Sequence, residues 1–139
     1  MLAYQITKEK KYFEIGGKTL EFLLKESMMG DIYAPIGQDG WRQQDGQRNY
    51  YDQQPEEVSA LMHALKSFYL VTGDKKYQQL MQKVFDWFLG GNSLHQVIYD
   101  RTTGGCFDGL SEKNVNLNQG AESTISYLLA RLQIDNDLP

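Results

Sequence analysis

Along the chain, apolar positions recur with a helical period in four stretches, and two long polar segments separate them. Tyr77, Leu80, Met81, Val84, Phe85, Phe88 and Leu89 follow the i, i+3, i+4, i+7 spacing that lines one face of a helix. Gly90-Gly91 ends that stretch, because glycine readily enters the left-handed conformation that closes a helix. A corresponding helix is expected from roughly Lys18 to Met28, stopping at Gly30. A third stretch puts Val58, Leu61, Met62, Leu65, Phe68 and Tyr69 on one side, and a fourth does so with Ile125, Leu128, Leu129 and Leu132. Thr72-Gly73-Asp74 reads as a tight helical hairpin, with a glycine at C′ and an aspartate able to N-cap the next helix.

The polar segments run from about Gly30 to Tyr51 and from about Gly91 to Asn116. Both exceed the ~12–15 residues beyond which a connection is usually functional or disordered. Aromatic residues and turn patterns predict order here. Val97-Ile98-Tyr99 and Cys106-Phe107 read as short strands around a Thr-Gly-Gly turn. Each segment leads into the start of a helix, so polar groups are expected to gather on one face of the molecule.

Sliding the sequence against itself by 65 positions brings these signals into register. Tyr4, Thr7, Lys10, Lys11 and Tyr12 fall on Tyr69, Thr72, Lys75, Lys76 and Tyr77, and Gln54 and Glu57 fall on Gln119 and Glu122. The chain is therefore read as one helical domain, residues 1–139, made of two overlapping copies, 1–74 and 66–139. Residues 1–6 match the end of the second helix of a unit, so the chain begins inside a copy. Repeat units usually need about three copies or caps to bury their faces. The expectation is thus the C-terminal part of a larger array, with pairing of two copies of the chain as another way to cover its open ends.

Composition narrows the classes. Hydrophobic residues make up 41% and charged residues 23%, as in ordinary globular domains, and 14 Lys+Arg against 18 Asp+Glu give a net charge of -4. That balance argues against a nucleic-acid partner, which needs a clustered basic surface. No apolar run is long enough for a membrane span, and Met1-Leu-Ala-Tyr-Gln-Ile lacks the layout of a signal peptide. A lone Cys106 excludes an internal disulfide, and a cytoplasmic protein is expected. His63 and His95 form no metal-ligand spacing, and Thr103-Gly104-Gly105 fits no phosphate-binding loop, so neither metal nor cofactor is expected.

Three segments carry a resemblance. They are Gly40-Trp41, Tyr51-Asp52-Gln53-Gln54-Pro55-x-Glu57, and Tyr99-Asp-x-x-Thr-Gly-Gly-Cys-Phe-Asp-Gly-Leu110 followed by Val115-Asn-x-Asn-Gln-Gly-Ala-Glu-Ser123. Together they resemble the helical toroid module of bacterial glycosyltransferase-associated proteins, which is similar to the six-hairpin glycosidase and N-acylglucosamine 2-epimerase-like superfamily. The resemblance implies an all-α fold, a partial (α/α)6 toroid of about four helices with a short β-hairpin in a loop. It also implies a saccharide ligand, and a glycosyltransferase domain or the rest of the toroid as partner. The epimerase branch uses a histidine pair absent from the matched segments, so epimerisation is not expected.

Within that frame the candidate acid/base residues are Asp108, Glu122, Glu57 and Asp52. Glycoside hydrolysis needs two carboxylates about 5.5 Å or 6.5–9.5 Å apart. Glu57 and Glu122 sit equally well as helix-start residues that satisfy free N–H groups, with Pro55 favouring the first turn. Asp108 is peculiar to the second copy, Gln43 holding its place in the first, although Asp-Gly is also a routine turn pair. Trp41, Tyr51, Tyr99 and Phe107 offer rings to sugar faces or to loop packing. Arg42, Gln53, Gln54, Asn116, Asn118 and Gln119 offer the mixed donors and acceptors that suit hydroxyls. Three functions stay open: a carbohydrate-processing enzyme, a non-catalytic glycan-binding module, and an interaction scaffold.

Overall fold

The computed structural model describes residues 1–38, 40, 42 and 46–135. Its helices are α1 (Leu2–Thr7), α2 (Lys10–Glu26), α3 (Pro55–Thr72), α4 (Lys76–Phe85) and α5 (Ala121–Asp135). A single 3₁₀ turn, Asp86–Phe88, continues α4. Two antiparallel ribbons join them. In one, β1 (Met28–Met29) pairs with β2 (Ile32–Tyr33), setting Met28 opposite Tyr33. In the other, β3 (Gly109–Leu110) pairs with β4 (Val115–Asn116), setting Leu110 opposite Val115.

The chain is therefore a mixed helix-and-ribbon fold, which corrects the all-α toroid segment expected from the sequence. The reason is local. The first long helix runs from Lys10 to Glu26, starting earlier than its apolar pattern suggested and stopping before Met28. Gly30, at φ 62°, then allows the chain to fold back through Gly30-Asp31 and pair Met29 with Ile32. In the second long loop the two-residue strands form later than expected, at 109–110 and 115–116. The expected Val97–Tyr99 and Cys106–Phe107 pair is reduced to one isolated bridge between Tyr99 and Cys106.

Helix α3 is the centre of the packing and lies against both α4 and α5. It begins with a capping box: the Gln54 side chain takes the N–H of Glu57, and the Glu57 carboxyl takes the N–H of Gln54, with Pro55 in the first turn. It ends at Gly73, whose φ of 69° provides the left-handed cap. Val58, Leu61, Met62, Leu65 and Phe68 of α3 are buried against Met81, Val84 and Phe85 of α4, with Trp87 and Phe88 completing the layer. Each such side chain removed from water contributes about 1.5–3 kcal/mol. Aromatic rings meet edge to face, Phe88 with Trp87 at 5.3 Å and with Tyr127 at 5.2 Å.

Helix α5 packs differently from its sequence pattern. Ser123, Ser126, Tyr127 and Ala130 are its buried residues, while the apolar stripe Ile125, Leu128, Leu129 and Leu132 faces outward. No helix among the described residues is long and apolar enough to cross a membrane.

Candidate functional site

The two long loops meet where they enter α3 and α5. The backbone of Gln53 exchanges a pair of 2.9 Å hydrogen bonds with Leu110, so the strap before α3 is tied to the β3–β4 ribbon. Gly109 is required beside that bridge, since a Cβ there would stand 2.7 Å from the Gln53 carbonyl oxygen. Three recesses of about 600, 440 and 390 Å³ open along this seam. The first two share Asp52, Ser111 and Asn114, and the last two share Gln54, Asp108 and Asn116. They therefore adjoin as one polar trough, with Tyr51 at one end and Glu122 at the other.

Asp108 stands at its middle, fixed by α5. One carboxylate oxygen accepts the Gly120 N–H at 2.7 Å and the Ser123 hydroxyl at 2.7 Å, and the other accepts the Asn118 amide. The Ser123 hydroxyl above all, with Asn118 and Gly120, holds the carboxyl below the usual carboxylate range. Such a group stays ionised and accepts hydrogen bonds at neutral pH. It does not suit a general acid, which has to hold a proton to give. Glu122 is exposed on the first turn of α5, and Asp52 is exposed on the strap before α3.

The other sequence candidates divide cleanly. Asn116 lines the trough and accepts the Asn118 N–H at 3.2 Å. Asn118 is thereby a support for Asp108. Gln119 donates to Asp100 at 3.1 Å and accepts from the Thr103 hydroxyl at 2.8 Å, pinning the 100–105 turn. Gln53 lies away from any ligand path: it is fully buried, accepting the Trp87 indole N–H at 2.8 Å and donating to the Tyr50 carbonyl at 2.8 Å. Gln54 lines the trough and accepts from Gln38 at 2.6 Å. Arg42 is ion-paired with Glu26 at 2.8 Å. Tyr99 stacks on Tyr127 at 4.2 Å beside α5, and Phe107 packs on the core. Trp41 and Gln43 lie outside the described residues.

Glu57 belongs to a second, separate recess. A pocket of about 270 Å³ opens between the end of α2 and the first turns of α3, and its walls are chiefly apolar. Burial there pushes the Glu57 carboxyl up to about 7. Cys106 is buried in the core, and burial pushes its thiol up to about 12, so it is no nucleophile. Among the described residues, no three His, Cys, Asp or Glu side chains converge to hold a metal ion.

Sequence reasoning missed Asn49, Ser111 and Asn114 of the trough. The signal was the polar run Ser111-Glu-Lys-Asn114 between Leu110 and Val115, where the Asn114 carbonyl accepts the Ser111 hydroxyl at 2.9 Å. Compared with known proteins, the chain matches no family model and no curated sequence. Its function is therefore read from the chemistry of these two recesses.

Proposed function

We propose that this chain is a carbohydrate-recognition module whose polar trough holds a neutral oligosaccharide. The observation that carries the reading is the continuity of the three recesses across the Gln53–Leu110 bridge. A trough of that extent suits several sugar units in a row. Asp52, Gln54, Asp108, Asn114, Asn116 and Glu122 alternate acceptors with amides that both donate and accept, which matches hydroxyl groups. Tyr51 at one end offers a ring to an apolar sugar face. The likeness of the Tyr51–Glu57 and Tyr99–Ser123 segments to glycosyltransferase-associated proteins supports the same reading, with a transferase domain as the natural partner. A reducing, cytoplasmic setting fits the single unpaired cysteine.

Asp108, held ionised by three donors, serves as an acceptor for hydroxyl groups and has no proton to give as a general acid. Saturation-transfer NMR with cello-, malto- and chitotetraose and their monosaccharides tests the proposal. At least one tetrasaccharide should receive saturation, and the Asp52→Ala/Asn116→Ala variant should lose it while keeping its fold. Silence from all three tetrasaccharides would overturn the reading. New anomeric signals appearing over hours would replace recognition with catalysis.

A further inference from the structure

The pocket at Glu57 is not part of the trough and has a different chemistry. Leu23 from α2, Pro35 and Ile36 from the segment after β2, and Leu61 and Ala64 from α3 make its apolar walls. Among the described residues, polar groups enter from Ser27, Tyr33 and Glu57. The Glu57 carboxyl accepts one long hydrogen bond, from the Gln54 N–H at 3.4 Å, and among the described residues it has no ion-pair partner. A carboxyl set into apolar walls with so little support is costly unless something pairs with it.

The nearby cation whose charge reaches Glu57 is Arg48, which is held by other groups. Arg48 gives its guanidinium to the carbonyls of Met28, Ala34 and Pro35 and lies over the Tyr50 ring at 4.5 Å. Glu26, at the end of α2, is paired with Arg42. Glu56 is the exposed neighbour of Glu57 on α3, and Tyr33 is buried as a neutral phenol. Among the described residues, Glu57 is the carboxyl that lines this pocket.

We propose that this pocket binds a small organic ammonium ion, with its apolar body against Leu23, Pro35, Leu61 and Ala64 and its nitrogen donating to the Glu57 carboxylate. An ammonium supplies three donors on a compact charge, which Glu57 and the Ser27 hydroxyl can accept together. The volume of about 270 Å³ lies just under the ~300–1,000 Å³ of drug-sized sites, so the ligand is about the size of a single ring with an aminomethyl group. Burial favours the protonated carboxyl in the empty pocket, so an ammonium ion has to select the ionised form and its binding strengthens as pH rises.

Benzylamine, with benzyl alcohol and benzoate as neutral and anionic isosteres, is the probe set. The full chain is titrated by proton–nitrogen correlation NMR at pH 6 and pH 8. Benzylamine should shift the amides of Ile36, Ala60 and Ala64. It should bind about ten-fold more tightly at pH 8, the ratio of ionised carboxyl for a group titrating near 7. Glu57→Gln should abolish that pH dependence while leaving the spectrum dispersed, and Ala64→Phe should block the pocket at both pH values. Equal shifts from benzyl alcohol or benzoate would overturn the proposal, as would unchanged benzylamine binding by Glu57→Gln. Failure here leaves the saccharide reading standing, since no trough residue other than those of the α3 cap is involved.

Discussion

The contact between Gln53 and Trp87 offers a sharp test of how the strap before α3 is joined to the turn after α4. Both side chains are fully buried, and the Gln53 amide is the acceptor for the Trp87 indole N–H at 2.8 Å. Gln53→Leu keeps the volume roughly constant and strands two groups. The Tyr50 carbonyl belongs to a residue 44% exposed, so it rehydrates at little cost. The indole N–H belongs to a fully buried residue, and an unpaired buried donor costs about 1–3 kcal/mol. The expected loss is therefore about 2 kcal/mol, or ~5–8 °C in Tm for a domain of this length. Trp87→Phe removes the donor but also ring volume, at about 1–3 kcal/mol. In the double variant neither partner is left unpaired, so the two losses should combine to about 1–2 kcal/mol less than their sum. Urea denaturation followed by far-ultraviolet circular dichroism measures all four proteins without relying on tryptophan emission. If the double variant equals the sum of the singles within ~0.3–0.5 kcal/mol, the hydrogen bond does not couple the strap to the turn after α4 and the prediction is refuted.

Two further predictions concern the carboxylates. Asp108→Ala frees the Gly120 N–H and the Ser123 hydroxyl at the start of α5, and it should cost about 1–2 kcal/mol in urea denaturation, as loss of a helix cap does. An unchanged midpoint would show that α5 does not depend on this tether. Glu57 is raised to about 7 from an ordinary value of 4.5, so its protonated form is the one the fold favours. Its contribution is fully present below about 4.5 and is lost as pH rises through about 7. Glu57→Gln should accordingly match the parent protein at pH 4 and exceed it at pH 8. Partial contact with solvent limits the gain to about 1–2 kcal/mol. A constant difference across that range would refute the assignment.

What the residue pattern reveals depends on how local the cause is. The apolar face of α3 was legible, because Val58, Leu61, Met62, Leu65 and Phe68 bury the stripe that their spacing draws. Helix α5 has an equally clear stripe in Ile125, Leu128, Leu129 and Leu132, yet it turns that side outward. Its orientation follows from Ser123 bonding Asp108 and from Tyr127 stacking on Tyr99, contacts made across the chain that no helical period encodes. The same distance effect hid the role of Gln53, whose partner Trp87 is far along the sequence. The gathering of Tyr51, Asp52, Gln54, Asp108, Asn116 and Glu122 along one seam was anticipated by the placing of both loops before helix starts. Glu57 was picked out from its spacing, but its apolar pocket depends on Leu23, Pro35 and Ile36, which carry no chemical signal of their own.

The seam at Gln53 and Leu110 has a thermodynamic consequence. Asp52 and Gln54 reach the trough from the strap before α3, and Asp108, Asn116 and Glu122 reach it from the β3–β4 ribbon and the start of α5. Any occupant touching both sides works as a clamp, so filling the trough and keeping the halves docked become one coupled equilibrium. At a hundredfold excess over its Kd, such an occupant adds about 2.7 kcal/mol against openings that part the two loops. The amide protons of Gln53 and Leu110 then become a built-in gauge of occupancy, exchanging with solvent only when the clamp is empty and the seam breathes.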